Sequence, residues 1–227
     1  WSSDVCSSDL TEEQVAEIVK FSEDPIYFIK KYVKIVNVDK GLVPFDMWPF
    51  QENMVNEFHK NRFSICKMPR QVGKTTTTVG YMLWCVLFNI DYKIAILANK
   101  GSLAREILGR IQYAYEYLPL WLQQGIKTWN KGNIELENGS MIWAYATSAS
   151  GVRGGTYNLV FLDEFAFVQH NMAQDFFTST YPVISSGKTT KVIIVSTPNG
   201  LNMFYKMWVD AIEARSTYVP QIGRAHV

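Results

Sequence analysis

The chain has 227 residues, of which 48% are hydrophobic and 19% charged, with a formal net charge of +1. That is material for about one domain with a full core and excludes a disordered or low-complexity polypeptide. No apolar run reaches the ~20 residues that span a bilayer, near-neutral charge gives no compositional argument for nucleic acid, and three His without a Cys-x-x-Cys pair give no zinc site.

In chain order, Thr11 to Lys20 reads as a helix with an acidic first turn. Asp24-Pro25 supplies an N-cap and a proline at the first helical position, opening a helix to about Val36. Gly41 to Pro49 reads as a loop with two prolines, and Gln51 to Asn61 as a short helix. Phe63 to Met68 is an apolar run with the look of a buried strand, and a Thr-rich, then apolar, helix follows to Phe88. Tyr92 to Ala98 is a second strand, and Ser102 to Tyr117 carries apolar residues at helical spacing. Ile134 to Glu137 and Ser140 to Ala146 alternate around Asn138-Gly139, which predicts a β-hairpin. Leu159 to Leu162 and Val192 to Val195 are further buried strands. Ala173 to Ile184 reads as a helix interrupted near Pro182, and Leu201 to Arg215 as an amphipathic helix. Compact apolar strands alternating with helices argue for an α/β fold with a mostly parallel sheet and helices on both faces. Cys66 and Cys85 fall in apolar settings and read as buried free thiols of a reducing compartment.

Between the first buried strand and its helix lies Pro69-Arg70-Gln71-Val72-Gly73-Lys74-Thr75. Strand, loop, Gly-Lys-Thr and helix form a phosphate-binding P-loop, in which loop N–H groups and a helix N-terminus converge on one anion. Lys74 would reach β/γ-phosphates and the Thr75 hydroxyl a Mg²⁺ ion, with Gln71, Val72, Gly73 and Thr76 completing the cradle. Met68 stands where the usual pattern has its first glycine. Asp163-Glu164 ends the Leu159 strand at the sheet edge where ligands bind. Asp163 would hold Mg²⁺, and Glu164 would orient and deprotonate an attacking water. The fold class is therefore a P-loop NTPase of the ASCE/recA-like kind. Ser196-Thr197 before Pro198 is either a phosphate-sensing coupling pair or a turn cap. Arg70 is either a charge stabiliser for a transferring phosphoryl group or a solvated loop cation. Gln51, after Trp48-Pro49-Phe50, either reads an adenine edge or simply begins a helix. Arg153, in Gly151-Val152-Arg153-Gly154-Gly155, either contacts phosphate or decorates a connector. Trp121, Trp129, Trp143 and Tyr145 read as packing residues.

These blocks resemble the large terminase subunit of tailed bacteriophages, in its T-even-like branch. The resemblance rests on Gln51 with its aromatic lead-in, Arg70 to Thr75, Ile96 to Ser102, Leu162-Asp163-Glu164, and Ser196 to Asn202 with Phe204-Tyr205. A P-loop without its first glycine, and with an Arg inside, is usual in that family. The resemblance implies a motor that hydrolyses ATP, with Mg²⁺, to drive duplex viral DNA into a procapsid. Its partners would be DNA, the portal protein, the small terminase subunit and further copies in a ring, in the host cytoplasm and without a membrane. It also implies Gln51 as the adenine contact, Arg70 and Lys74 as phosphate contacts, Thr75 and Asp163 as Mg²⁺ holders, Glu164 as base and Ser196-Thr197 as coupling motif. Two alternatives share some of the blocks: a DExH-type helicase or translocase, and a non-hydrolysing nucleotide-binding scaffold. Intact Lys74, Asp163 and Glu164 argue against the scaffold.

The ends carry an expectation of their own. Asp4 to Leu10 can be encoded by bases whose reverse complement encodes Ile222 to Val227. One sequencing-adapter-like oligonucleotide, read on opposite strands, accounts for both. The expectation is foreign tails at 1–10 and 222–227, an ATPase domain at 11–221 with an incomplete lid, and a C-terminal nuclease domain outside the chain.

Overall fold

The computed structural model describes residues 10–37, 39–148, 152, 154–182 and 187–223. Of the two tails expected to be foreign, Leu10, Ile222 and Gly223 fall among them.

Local chemistry sets the helix starts. Thr11 and Gln14 form a reciprocal capping box at the head of α1 (Glu12–Glu23). The Asp24 carboxylate accepts from the Ile26 and Tyr27 amides at the head of α2 (Pro25–Tyr32). The remaining helices are α3 (Pro49–Lys60), α4 (Lys74–Phe88), α5 (Gly101–Glu116), α6 (His170–Asp175, continued by a π-turn over Phe176–Thr180) and α7 (Met203–Ile212).

α2 stops at Tyr32, short of the expected Val36. The β-branched Ile35 and Val36 take extended backbone in β1 (Lys34–Asn37), which pairs antiparallel with β2 (Gly41–Pro44). The Asn37 side chain accepts from the Asp39 and Lys40 amides, and Gly41 has φ +68°, which closes the turn. Half of the expected loop at Gly41 to Pro49 is therefore a strand.

Among the described residues eight strands make the main sheet: β3 (Phe63–Lys67), β4 (Lys93–Ala98), β5 (Ile126–Trp129), β6 (Asn133–Leu136), β7 (Met141–Ala146), β8 (Leu159–Asp163), β9 (Lys191–Ser196) and β10 (Val219–Ile222). Their order is β10-β3-β9-β8-β4-β7-β6-β5. The run from β10 to β7 is parallel, and β7-β6-β5 is antiparallel. The predicted hairpin is β6–β7, with Asn133 opposite Trp143 and Glu135 opposite Met141. The sequence reading did not anticipate β5 and β10. Pro220 sits in β10, an edge strand, where its missing N–H is tolerated.

Strand alternation divides the core in two. Cys66, Ile94, Ile96, Phe161, Ile193 and Val195 face the layer of α2 to α5. Ile65, Ala95, Leu97, Val160, Leu162 and Ile194 face the layer with Phe165, Ala173, Phe204 and Trp208. Both faces are buried, which is why these strands read as continuous apolar runs. Lys191, at the start of β9, donates to the carbonyls of Phe58, His59 and Asn61 (3.0, 2.8 and 3.0 Å) and so caps the carboxyl end of α3. Cys66 and Cys85 are buried free thiols, and burial pushes the Cys85 thiol up to about 12. Trp121 packs on Phe21 and Tyr32, Trp129 on Tyr115 and Trp143 on Tyr157.

Candidate functional site: a phosphate loop beside paired carboxylates

Parallel strands end at one sheet edge, so the residues just after β3, β9, β8 and β4 meet there. The loop after β3 turns into α4 through two left-handed residues, Gln71 (φ 61°) and Gly73 (φ 72°). Gly73 is the N-cap of α4, and a Cβ there would lie 2.6 Å from Nε2 of Gln51. Gln51 itself is buried. Its Nε2 donates to the Val72 carbonyl at 2.9 Å, and its Oε1 accepts from the Trp48 amide at 2.9 Å. The amide thus braces the P-loop against the start of α3.

Lys74 is buried, with its ammonium 2.8 Å from Glu164 Oε1. It also donates to the Thr197 hydroxyl at 3.0 Å and towards the Pro69 carbonyl at 3.5 Å. The Glu164 carboxylate accepts from the Thr197 amide (3.0 Å), the Thr197 hydroxyl (3.2 Å) and, more weakly, the Ser196 hydroxyl (3.4 Å). Burial alone would raise the Glu164 carboxyl, but the Lys74 ammonium and the Thr197 donors outweigh it and hold it below the usual carboxylate range. Glu164 adopts φ 48° and ψ 43°, a left-handed conformation uncommon outside glycine. Ser196 is buried and accepts from the Ala166 amide at 3.0 Å, which ties the end of β9 to the loop after β8.

Asp163 differs from its neighbour. Its Oδ1 is buried without a hydrogen-bond partner. Burial, and then the Glu164 charge, push its carboxyl up to about 6 against the pull of Lys74. An unpaired buried carboxylate oxygen fits a cation ligand, and hard oxygen donors from Asp163 and Thr75 suit Mg²⁺. A testable consequence concerns the metal-free, nucleotide-free protein. Between the ordinary value of 3.8 and about 6 the folded state holds more protons than the unfolded state, so stability falls as pH rises through that window. Asp163→Asn is therefore expected to raise the melting temperature by about 2–6 °C near pH 8. The gain should shrink to less than half as pH falls to about 4.5. Melting curves at both values check this, and an equal gain at the two would refute it.

Two cavities flank the P-loop. One, of about 510 Å³, lies between the β1–β2 hairpin and the loop, and is walled by Ile35, Val43, Phe45, Gln51, Gly73 and Thr76 among others. The other, of about 340 Å³, is lined by Arg70, Gln71, Lys74, Asn99, Leu103, Glu164 and Phe167. Arg70 is exposed, lines both cavities, and holds its guanidinium 5.9 Å from the Phe167 ring centre. The structure thus gathers Gln51, Arg70, Gln71, Val72, Gly73, Lys74, Thr75, Thr76, Asp163, Glu164, Ser196 and Thr197 at one edge. Arg153 lies outside the described residues. The hairpin wall was missed. The adjacent β-branched pair Ile35-Val36 and the Asn37 to Gly41 turn were the available signals.

Comparison with known proteins agrees with this geometry. The family model for "Terminase large subunit, T4likevirus-type, N-terminal" matches residues 65–223, more than half of the chain. The large terminase of bacteriophage HK97 is similar at a TM-score of 0.74 and 18% identity, over 90% of this chain and 44% of that one. An ATPase-domain variant of a Thermus phage large terminase is similar at 0.64 and 16%, over 79% of this chain and 82% of that one. The large terminase of a thermophilic bacteriophage, solved in complex with ADP, is similar at 0.58 and 13%, over 77% and 44%. The chain spans less than half the length of the HK97 protein. At these identities the likeness establishes the fold, a P-loop NTPase-like α/β sheet. The family follows from the sequence model. It begins inside β3, runs through the P-loop, the carboxylate pair and β9, and ends just past β10, so this chain belongs to the terminase large subunit family of T4likevirus type, in its N-terminal region.

Proposed function

We propose that residues 11–221 form the ATP-hydrolysing motor domain of a terminase large subunit, driving viral duplex DNA through a portal into the procapsid. The observation that carries this reading is the contact of Lys74 with Glu164 and Thr197 beneath the N-terminus of α4. A phosphate-binding cation at the head of α4, a carboxylate base just past β8 and a hydroxyl just past β9 share one spot. In the reaction, a water oxygen bonds to the γ-phosphorus and the bond to the β,γ-bridging oxygen breaks. One water proton passes to Glu164, and ADP and phosphate leave. Lys74 and the N–H groups from Gln71 to Thr76 hold the phosphates, and Arg70 meets charge that develops on the transferring group. Asp163 and Thr75 would hold Mg²⁺, which supplies charge neutralisation at the phosphate oxygens. Ser196-Thr197 would couple phosphate occupancy to the loop after β8.

The cavity beside the hairpin is the adenine side of this proposal. Gln51 keeps one Nε2 hydrogen and one Oε1 lone pair beyond its two backbone contacts, enough to meet one donor and one acceptor of an adenine edge. Duplex DNA, the portal protein, the small terminase subunit and a ring of copies are the proposed partners, in the host cytoplasm and transiently at the procapsid. The lid, and the nuclease domain of the parent protein, would follow this region. Among the described residues no helix is long and apolar enough to cross a membrane.

The test is a titration with ATPγS, followed by phosphate release from Mg-ATP with and without chelator. Saturable binding and chelator-sensitive release are expected. Absence of both would overturn the reading.

A further inference from the structure

The cavity of about 340 Å³ contains one polar residue with no assigned role. Strands β4 and β8 run parallel in one-to-one register from Ile94 beside Leu159 to Leu97 beside Leu162. Asn99 and Glu164 come soon after those pairs, each just past the end of its strand. Both side chains line the cavity, with Lys74 and Arg70. Glu164 has a neighbour on each side. Towards β9 its carboxylate is held by Thr197 and Lys74. Towards β4 stands Asn99, whose Oδ1 is buried and has no hydrogen-bond partner. A buried carbonyl oxygen left unpaired does not serve the empty fold, because an apolar side chain of the same shape would fill the space without the desolvation cost.

The chemistry of attack names the missing partner. A water in line with the γ-phosphorus must aim a lone pair at it. Both of its O–H bonds then point away, and both need acceptors. Glu164 is one acceptor. Lys74 and Arg70 are donors only, and the Thr197 hydroxyl oxygen already accepts from Lys74 while its hydrogen goes to Glu164, on the β9 side. Gln71 carries an amide too, but it is an exposed loop residue, whereas Asn99 directly follows β4, the strand beside β8.

We propose that Asn99 is the second acceptor for the hydrolytic water, fixing its orientation for deprotonation by Glu164. This rests on the reading of the site as ATP-hydrolysing. One water proton goes to Glu164. The other is held on the Asn99 side and stays with the phosphate product as the bond to ADP breaks.

The experiment uses the whole chain and the Asn99→Leu and Asn99→Gln variants. Leucine keeps the volume and removes the acceptor, and glutamine keeps an amide. Three quantities are read: kcat for Mg-ATP, Kd for ATPγS and melting temperature. Asn99→Leu is expected to lower kcat by about tenfold or more, with Kd within about twofold and no loss of melting temperature. Asn99→Gln should recover part of the rate. If Asn99→Leu turns over within about twofold of the unaltered chain, the role of Asn99 is overturned while the ATPase reading stands. If Asn99→Leu loses ATPγS binding and melts early, and Asn99→Gln is as slow as leucine at normal Kd, Asn99 is a scaffold residue and the proposal is again overturned. An unaltered chain that neither binds ATPγS nor releases phosphate removes both readings together.

Discussion

Glu164→Gln is expected to lower turnover by about 10²–10⁴-fold while nucleotide binding tightens. The loss of rate follows from removing the proposed base. The gain in binding follows from the empty site, where the buried Lys74 and the half-buried Glu164 neutralise one another at 2.8 Å. Incoming phosphates must draw Lys74 away from that partner, and the carboxylate repels them meanwhile. Glutamine keeps an oxygen for the Thr197 amide, and its NH2 group can donate to the Thr197 hydroxyl where the second carboxylate oxygen accepted from it, so the loop geometry should hold. It leaves Lys74 half-satisfied by Thr197 and Pro69, which costs stability until an anion arrives. The variant should therefore melt earlier than the unaltered chain when empty, and show the larger upward shift with ATPγS. Single-turnover phosphate release and melting with and without ATPγS check both halves. Unchanged turnover would remove Glu164 from the chemistry, and weaker binding would refute the competition between carboxylate and phosphate.

Gly73→Ala should damage the fold and the site together. The residue sits at φ 72°, ψ 16°, and a left-handed alanine costs about 1–2 kcal/mol. Its methyl would also lie 2.6 Å from Gln51 Nε2. Either Gln51 abandons the Val72 carbonyl or the loop shifts, and both move the amides that face phosphate. A fall in melting temperature of about 4–10 °C is expected, with at least a tenfold loss of ATPγS affinity. Pairing it with Gln51→Ala separates the causes. Removing the glutamine relieves the clash but not the backbone strain, so the double variant should be more stable than the sum of the single losses predicts. Strict additivity would show that the brace and the turn are independent.

Much of the sheet was legible, for a physical reason. Strands β3, β4, β8 and β9 are buried on both faces, so each appears as a short apolar run between turns. Thr11, Asp24 and the Asn138-Gly139 turn announce themselves through local hydrogen bonds or positive φ. The helix expected to reach Val36 failed because Ile35 and Val36 extend the apolar spacing of α2, and their pairing with Leu42 and Val43 is settled by a turn the period does not encode. β10 escaped because half-exposed residues and a proline make a poor strand until β3 offers it an edge. The site divides likewise. Lys74, Asp163 and Glu164 follow from where their strands end. The grip of Thr197 on Glu164, the hydrogen bond of Gln51 to the Val72 carbonyl and the unpaired Asn99 Oδ1 depend on segments far apart in sequence, where no spacing rule reaches.

A parallel sheet has two rims of unequal use. The rim described above carries the proposed nucleotide site, so the opposite one is open to the experimenter. Between α4 and β4, Ile90 is 79% exposed, and the Asn138 side chain pins the neighbouring turn through the Val86 and Asn89 carbonyls. That turn lies a full strand length from the P-loop, at the amino end of β4. A cysteine or dye carried there would sit on a rigid footing, away from every residue assigned to the reaction, and would report motion of the body without touching its chemistry.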